Sequence, residues 1–223
     1  MAVPLSIIIP TLNEQAEIES CLKNLQALRE MGVEVIVADG GSMDQTCELA
    51  TPYADQIVSS ERGRARQMNT GAEFASGEHL LFLHADTELP SDFSIAWLAS
   101  LQWGFFPVKL SGSAWQLRLI ERAMNIRSRL FGIGTGDQAL FIRHTLFKSL
   151  SGFAEIPLME DVEFCRRLKS ISKPAFQRGA VTTSSRRWEQ RGIARTVMQM
   201  WCLRWAYFFG VSPERLARHY YSS

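Results

Sequence analysis

Acidic side chains at three places in this 223-residue chain suggest chemistry on a phosphorylated ligand. The apolar run "LLFLHAD" ends on His84 and Asp86, and Glu160 and Asp161 stand side by side in "MEDVEFCRRL". A carboxylate at a strand tip is rigidly placed to hold a divalent cation against phosphate oxygens. One at a helix start can accept the proton of an attacking hydroxyl. A second apolar run, "VIVADGGS", ends on Asp39, while Arg62, Arg64 and Arg66 open a helical stretch with Asn69 and suit a diphosphate through their charge. Each feature also has a plainer use. Asp-Gly-Gly makes a tight turn, adjacent acids complement a helix dipole, and Asn13 is a good helix N-cap.

The elements that must position these groups follow from the hydrophobic pattern. Val3 to Ile9 is a continuous aliphatic run, the mark of a strand covered on both faces. A helix is predicted from Asn13 to Gly32, with Ile18, Leu22, Leu25 and Leu28 on one face. Strands at 33–39, 57–58 and 79–83 alternate with helices near 44–54 and 63–77. This β-α-β-α order predicts a mostly parallel sheet with helices on both faces. Ligands of such sheets bind at the carboxyl ends of the strands, where Thr11, Asn13, Glu14, Asp39, His84 and Asp86 all fall. Beyond residue 90 the pattern is less regular. Strands are expected at 105–110, 138–142 and 175–183, helices at 115–130, 144–150 and 160–170, and loops at "TGDQALF" and "RGAVTTSSRRWEQRG". An apolar helical segment, "VMQMWCLRWAYFFGV", follows; core packing, contact with a second copy and an interfacial position on a membrane are its three candidate roles.

Size and composition bound the reading. The length suits one α/β domain over 1–190, with a regular half to about residue 90 and a less regular half from 91, followed by a helical extension over 191–223. A net charge of +1 argues against nucleic acid as a partner. Cys21, Cys47, Cys165 and Cys202 lack metal or disulfide spacing and read as buried thiols of a reducing compartment. The N-terminal apolar stretch, broken by Pro10, is too short for a signal peptide or span, so the expected location is cytoplasmic, with the inner face of the membrane as the alternative if the C-terminal helix docks there.

Four segments in order, "SIIIPTLNE", "VIVADGGSMDQT", "ARQMNTGAEFASGEHLLFLHADTELP" and "MEDVEFCRRL", resemble the family 2 glycosyltransferases of the GT-A type. The C-terminal stretch resembles a small bacterial subgroup named for its association with radical SAM proteins. The family resemblance implies a GT-A-like α/β fold and an inverting, metal-assisted transfer of sugar from a nucleoside diphosphate sugar, UDP-sugar favoured, to an acceptor hydroxyl. It implies Asp161 as the base with Glu160 beside it, Asp86 as the ligand of Mn2+ or Mg2+, and a donor pocket of Pro10, Thr11, Asn13, Glu14, Asp39, Gly41, Arg66, Asn69, His84, Ala85 and Asp86. Asp137, Gln138, Arg187 and Trp188 are placed on the acceptor side. The family's first acid of Asp-x-Asp is His84 here, and Ser184 stands where processive relatives carry glutamine. Two rivals remain. A sugar nucleotidyltransferase lacks its glycine- and lysine-bearing loop in "PTLNEQAEIES", and a non-catalytic binding or membrane-docking module is opposed by the retention of Asp86 and Asp161.

Overall fold

The first strand, β1 (Leu5–Thr11), is buried along nearly its whole length and pairs in parallel with β2 (Glu34–Asp39) on one side. In this computed structural model, which describes residues 3–221 except Arg178 and excludes the side chains of Arg187 and Arg191, β3 (Gln56–Ser59) extends the sheet beyond β2. On the other side of β1 lies β4 (His79–Phe82), also parallel. The later strands are β5 (Thr87–Glu88), β6 (Trp103–Phe105), β7 (Val108–Leu110), β8 (Leu140–Arg143), β9 (Ala175–Phe176) and β10 (Val181–Thr183). A seven-stranded sheet runs β3-β2-β1-β4-β8-β6-β9, with β8 antiparallel to both neighbours. A smaller sheet runs β5-β10-β7. The mostly parallel sheet expected from the sequence is therefore present.

Helices α1 (Ile18–Asn24), α2 (Gln26–Glu30), α3 (Thr46–Ala50) and α4 (Arg64–Phe74) belong to the first half. Alternation along each strand sorts the core into two layers. Ile7, Ile9, Val35, Val37 and Leu81 pack with Ile18, Leu22 and Leu25 of the α1 region. Ile8, Ile36, Ala38, Leu80 and Phe82 pack with Ala65, Met68 and Ala72 of α4. Helix α4 comes so close that a Cβ on Gly71 would lie 2.5 Å from Ile8 Cγ2, so glycine is required there.

The second half contains α5 (Trp115–Phe131), α6 (His144–Ser149), α7 (Glu160–Lys169), α8 (Arg186–Arg191), α9 (Ile193–Phe208) and α10 (Pro213–Tyr221). Four expectations need correction. The helix predicted from Asn13 to Gly32 is two helices, because i→i+3 bonds from Leu25 N to Leu22 O and from Leu28 N to Leu25 O tighten the chain between them. The strands predicted at 105–110 and 175–183 are each two strands that leave the large sheet for the small one. At the first crossing Phe106 N donates to Gln138 O, and Pro107, which has no N–H, receives Val181 N on its carbonyl. "RRWEQR" is helix α8 rather than loop. The last two helices pack Leu203, Leu216 and Tyr220 against Met159 and Val162 at the start of α7. Burial pushes the thiols of Cys21 and Cys165 up to about 12. Cys47 is only half-buried and Cys202 is exposed, contrary to the expectation of four buried thiols.

Candidate functional site

The ends of β1 and β2 are locked together before any ligand arrives. Thr11 and Asp39 are register partners, and Thr11 Oγ1 donates to Asp39 Oδ1 at 3.2 Å. Asp39 also accepts Ser42 Oγ at 2.5 Å and the N–H groups of Gly41 and Ser42 at 2.9 and 2.8 Å. Burial works to raise its pKa, but these donors outweigh it and hold the carboxyl below the usual range. Four donors saturate a carboxylate, so Asp39 builds the turn that carries Gly41. Asn13 sits in the left-handed region at φ 56°, donates its N–H to Ser42 Oγ and accepts Met43 N on its side chain. It clips two loops together and does not cap α1, whose first turn begins at Glu17.

Beside this framework lies a cavity of about 230 Å³ lined by Pro10, Glu14, Arg64, His84, Ala85, Asp86, Ser184, Arg186 and Gln190. Five of these residues were expected from the sequence. Asp86 is fixed through its carbonyl, which accepts Ser184 N at 3.0 Å, and through Thr87 Oγ1 at 3.3 Å from its carboxylate. Burial and then the charge of Asp86 raise the pKa of Glu14, opposed by Arg186 and Arg64, so two carboxylates and two guanidiniums face one space. His84 packs under Gly136, where a Cβ would lie 2.5 Å from the imidazole Cε1, and its Nδ1 is 3.7 Å from Asp137 Oδ1.

A second group of acids starts α7. Asp161 accepts Gly136 N at 2.9 Å and its neighbour Val162 N at 2.7 Å. Its pKa is nonetheless raised, by burial, against those bonds and the Arg64 charge. Glu160 is buried, and burial, then the charge of Asp161, push it up to about 7 against the pull of Arg64. Arg64 itself is accessible to water yet enclosed by the cleft. Burial disfavours its charge, but Glu160 and Asp137 prevail and raise its pKa further. It thus stands between the cavity and the Glu160–Asp161 pair.

Four expected residues lie elsewhere. Arg66 pairs with Glu61 and, at 3.1 Å, with Glu155, and Asn69 exchanges two 2.9 Å hydrogen bonds with the backbone of Phe153. Both pin the loop before α7 and do not line the cavity. Gln138 is buried, accepting Ser128 Oγ at 2.7 Å and donating to Phe106 O at 3.1 Å, so it is scaffold and not an acceptor wall. Trp188 is half-buried on α8, two residues before the cavity's Gln190 and hence on another face. Arg187 has its side chain outside the described residues.

Arg64 is the residue that motif reading passed over in favour of Arg66. Helix phase distinguishes them. Arg64 lies three and four residues before Gln67 and Met68, which are buried over the sheet, and Gln67 Nε2 reaches Thr11 O at 2.6 Å and Ala38 O at 3.0 Å. Arg66 is turned about 200° from it.

The strand order, the antiparallel β8 and the site at the strand ends define a GT-A-like α/β fold. Residues 6–102 match the family described as Glycosyl transferase family 2. It is 28% identical over 194 residues to a PGL/p-HBAD biosynthesis glycosyltransferase of Mycobacterium bovis (strain BCG / Pasteur 1173P2), covering 79% of this chain and 73% of that one. Among solved structures it is similar to S. aureus TarS 1–349, with a TM-score of 0.65 and 20% identity over 82% of this chain. The chain spans 60% of the length of that 1–349 chain. It is also similar to glucosyl-3-phosphoglycerate synthase from Mycobacterium tuberculosis, solved with Mn2+, UDP and glucosyl-3-phosphoglycerate, with a TM-score of 0.59 and 22% identity over 88% of this chain and 77% of that one.

Proposed function

We propose that the protein is an inverting glycosyltransferase that moves a sugar from a nucleoside diphosphate sugar, UDP-sugar favoured, to an acceptor hydroxyl. One observation carries this reading: Arg64 lines one cavity with Asp86, and its charge also acts on the buried Glu160 and on Asp161. TarS of the same fold has been solved with UDP-GlcNAc, and the synthase with UDP and Mn2+, which supports the choice of donor class.

In this mechanism Arg64 and Arg186 receive the diphosphate, forming charge-assisted hydrogen bonds to its oxygens. The acceptor oxygen attacks the anomeric carbon from the side opposite the diphosphate and its proton passes to the Asp161 carboxylate. As the new carbon–oxygen bond forms, the bond to the β-phosphate oxygen breaks, and the nucleoside diphosphate leaves. A single displacement inverts the anomeric centre. The hydrogen bonds from Gly136 and Val162 orient Asp161, and burial keeps it basic enough to take a proton.

The residues fit a divalent cation. Among the described residues no group of three or more His, Cys, Asp or Glu is arranged to hold a metal, but Asp86 and Glu14 offer hard oxygens whose mutual repulsion a cation relieves. Asp86, with Glu14 beside it, would hold Mg2+ or Mn2+, which would supply countercharge to the leaving diphosphate. His84, packed toward Gly136 and Asp137, serves the donor's hydroxyl or phosphate groups, since imidazole is a poor magnesium ligand.

Asp161→Asn tests the assignment. UDP release from a panel of UDP-sugars, followed in the presence of acceptors, should fall about a thousandfold. UDP affinity should stay unchanged, whereas full turnover in the variant would remove Asp161 as the base.

A further inference from the structure

Helix α9 is apolar nearly all round, and only one side of it is covered by the protein. Leu203 and Thr196 are buried, and Met200 and Tyr207 pack toward α7 and α10. The opposite stripe carries Met198 at 65% exposure, Trp201 at 59%, Trp205 at 53% and Phe208 at 67%, spaced at i, i+3, i+7 and i+10, and Phe209 just beyond is 75% exposed. A helix hydrophobic on both faces is expected to be covered on both.

The charge around this stripe indicates what covers it. Residues 186–223 hold seven arginines against Glu189 and Glu214, a net +5, so the rest of the chain carries −4 to give the overall +1. Within α9 itself there are Arg195 and Arg204 and no acid. Helix α5 repeats the combination: Trp115, Leu119, Ile126 and Leu130 are exposed, with four arginines against Glu121 in the same helix. Ile133, just past the Gly132 cap of α5, packs against the cluster that α9 and α10 build on the start of α7. Exposed tryptophans and phenylalanines bordered by arginines suit the interface of an anionic bilayer, where aromatic rings sit at headgroup level and the cations face lipid phosphates. Neither helix is long and apolar enough to cross a membrane, so the contact lies in the surface plane.

We propose that the outer face of α9 seats the protein on an anionic lipid surface. The inner face of the same helix packs on Met159 and Val162, which flank Glu160 and Asp161, so docking would hold the acceptor side of the cleft next to the lipid headgroups. Docking itself does not depend on the catalytic reading.

Co-sedimentation of the full chain with vesicles tests the proposal. Phosphatidylcholine vesicles containing phosphatidylglycerol should pellet the protein, phosphatidylcholine alone should pellet far less, and tryptophan emission should shift to the blue on binding. Trp201→Ser and Trp205→Ser should each weaken partitioning about tenfold. Arg195→Gln and Arg204→Gln should each weaken it about fivefold on anionic vesicles only. Trp201, Trp205 and Arg195 are exposed, so melting temperature should hold in those three variants. Equal binding to both vesicle types, no binding to either, or unchanged binding in the tryptophan variants would overturn the proposal. So would a dimer in solution that Trp205→Glu dissociates, which would give the face to a second copy.

Discussion

The wall proposed for the donor and the wall proposed for the acceptor are built in different ways. The donor wall stands on strand ends: β1, β2 and β4 are buried, in fixed register, and their last residues emerge at one edge with little freedom. The acceptor wall is assembled from the first turn of α7, the Gly136–Gln138 turn and helices α8 to α10, which meet through side-chain bonds and a small apolar cluster. Strand register sets position through the backbone, whereas the second wall depends on individual side chains such as Gln138 and Asn69.

If that contrast is right, buried side-chain scaffolds of the acceptor wall should be costly to remove. Gln138→Ala leaves Phe106 O without its side-chain donor and Ser128 with one partner fewer, and should lower stability by about 3 kcal/mol in urea titration. A loss within the range of an ordinary surface substitution would show that the backbone alone holds this wall.

The arginines of α4 sharpen the comparison next. Arg64→Ala should weaken UDP binding about thirtyfold, roughly 2 kcal/mol, while Arg66→Ala should leave it unchanged and only loosen the loop at Glu155. Equal losses in both variants, by calorimetry, would erase the distinction that helix phase draws between them.

A smaller effect concerns Glu160. Its folded pKa, up to about 7, lies above its unfolded value, so folding is favoured as pH falls through 7 toward the unfolded pKa and is penalised above it. Glu160→Gln should therefore stabilise the protein at pH 8 by on the order of 2 kcal/mol and have little effect below pH 5. Melting curves at the two pH values check the sign. In the unmodified enzyme, transfer should fall on acidification below about pH 7 as the Glu160–Asp161 pair takes up a proton.

The donor wall was largely legible in the sequence because continuous aliphatic runs mark buried parallel strands and the residue after each run marks the edge. Glu14, His84 and Asp86 follow from that rule, and Pro10 and Ala85 from the family resemblance. Arg64 required the phase of a helix whose small buried residues, Ala65, Gly71 and Ala72, give only a weak apolar stripe. The acceptor wall was harder to read. Two predicted strands divide where the chain changes sheets, at Phe106–Pro107 and between Phe176 and Val181, and sheet exchange leaves no period in the sequence. Gln138 and Asn69 have the polarity of ligands and the burial of scaffold, a difference that only their partners reveal. The aromatic residues of the C-terminal apolar stretch were visible, but not which face of α9 the protein would cover.

The most direct test is UDP titration by calorimetry with and without Mn2+, on the unmodified protein and on Asp86→Ala. Metal-dependent binding that collapses to the metal-free level in Asp86→Ala is the predicted result. Equal affinity with and without the metal, or a variant that retains the full Mn2+ effect, would contradict the assignment of Asp86 and with it the chemistry of the donor wall.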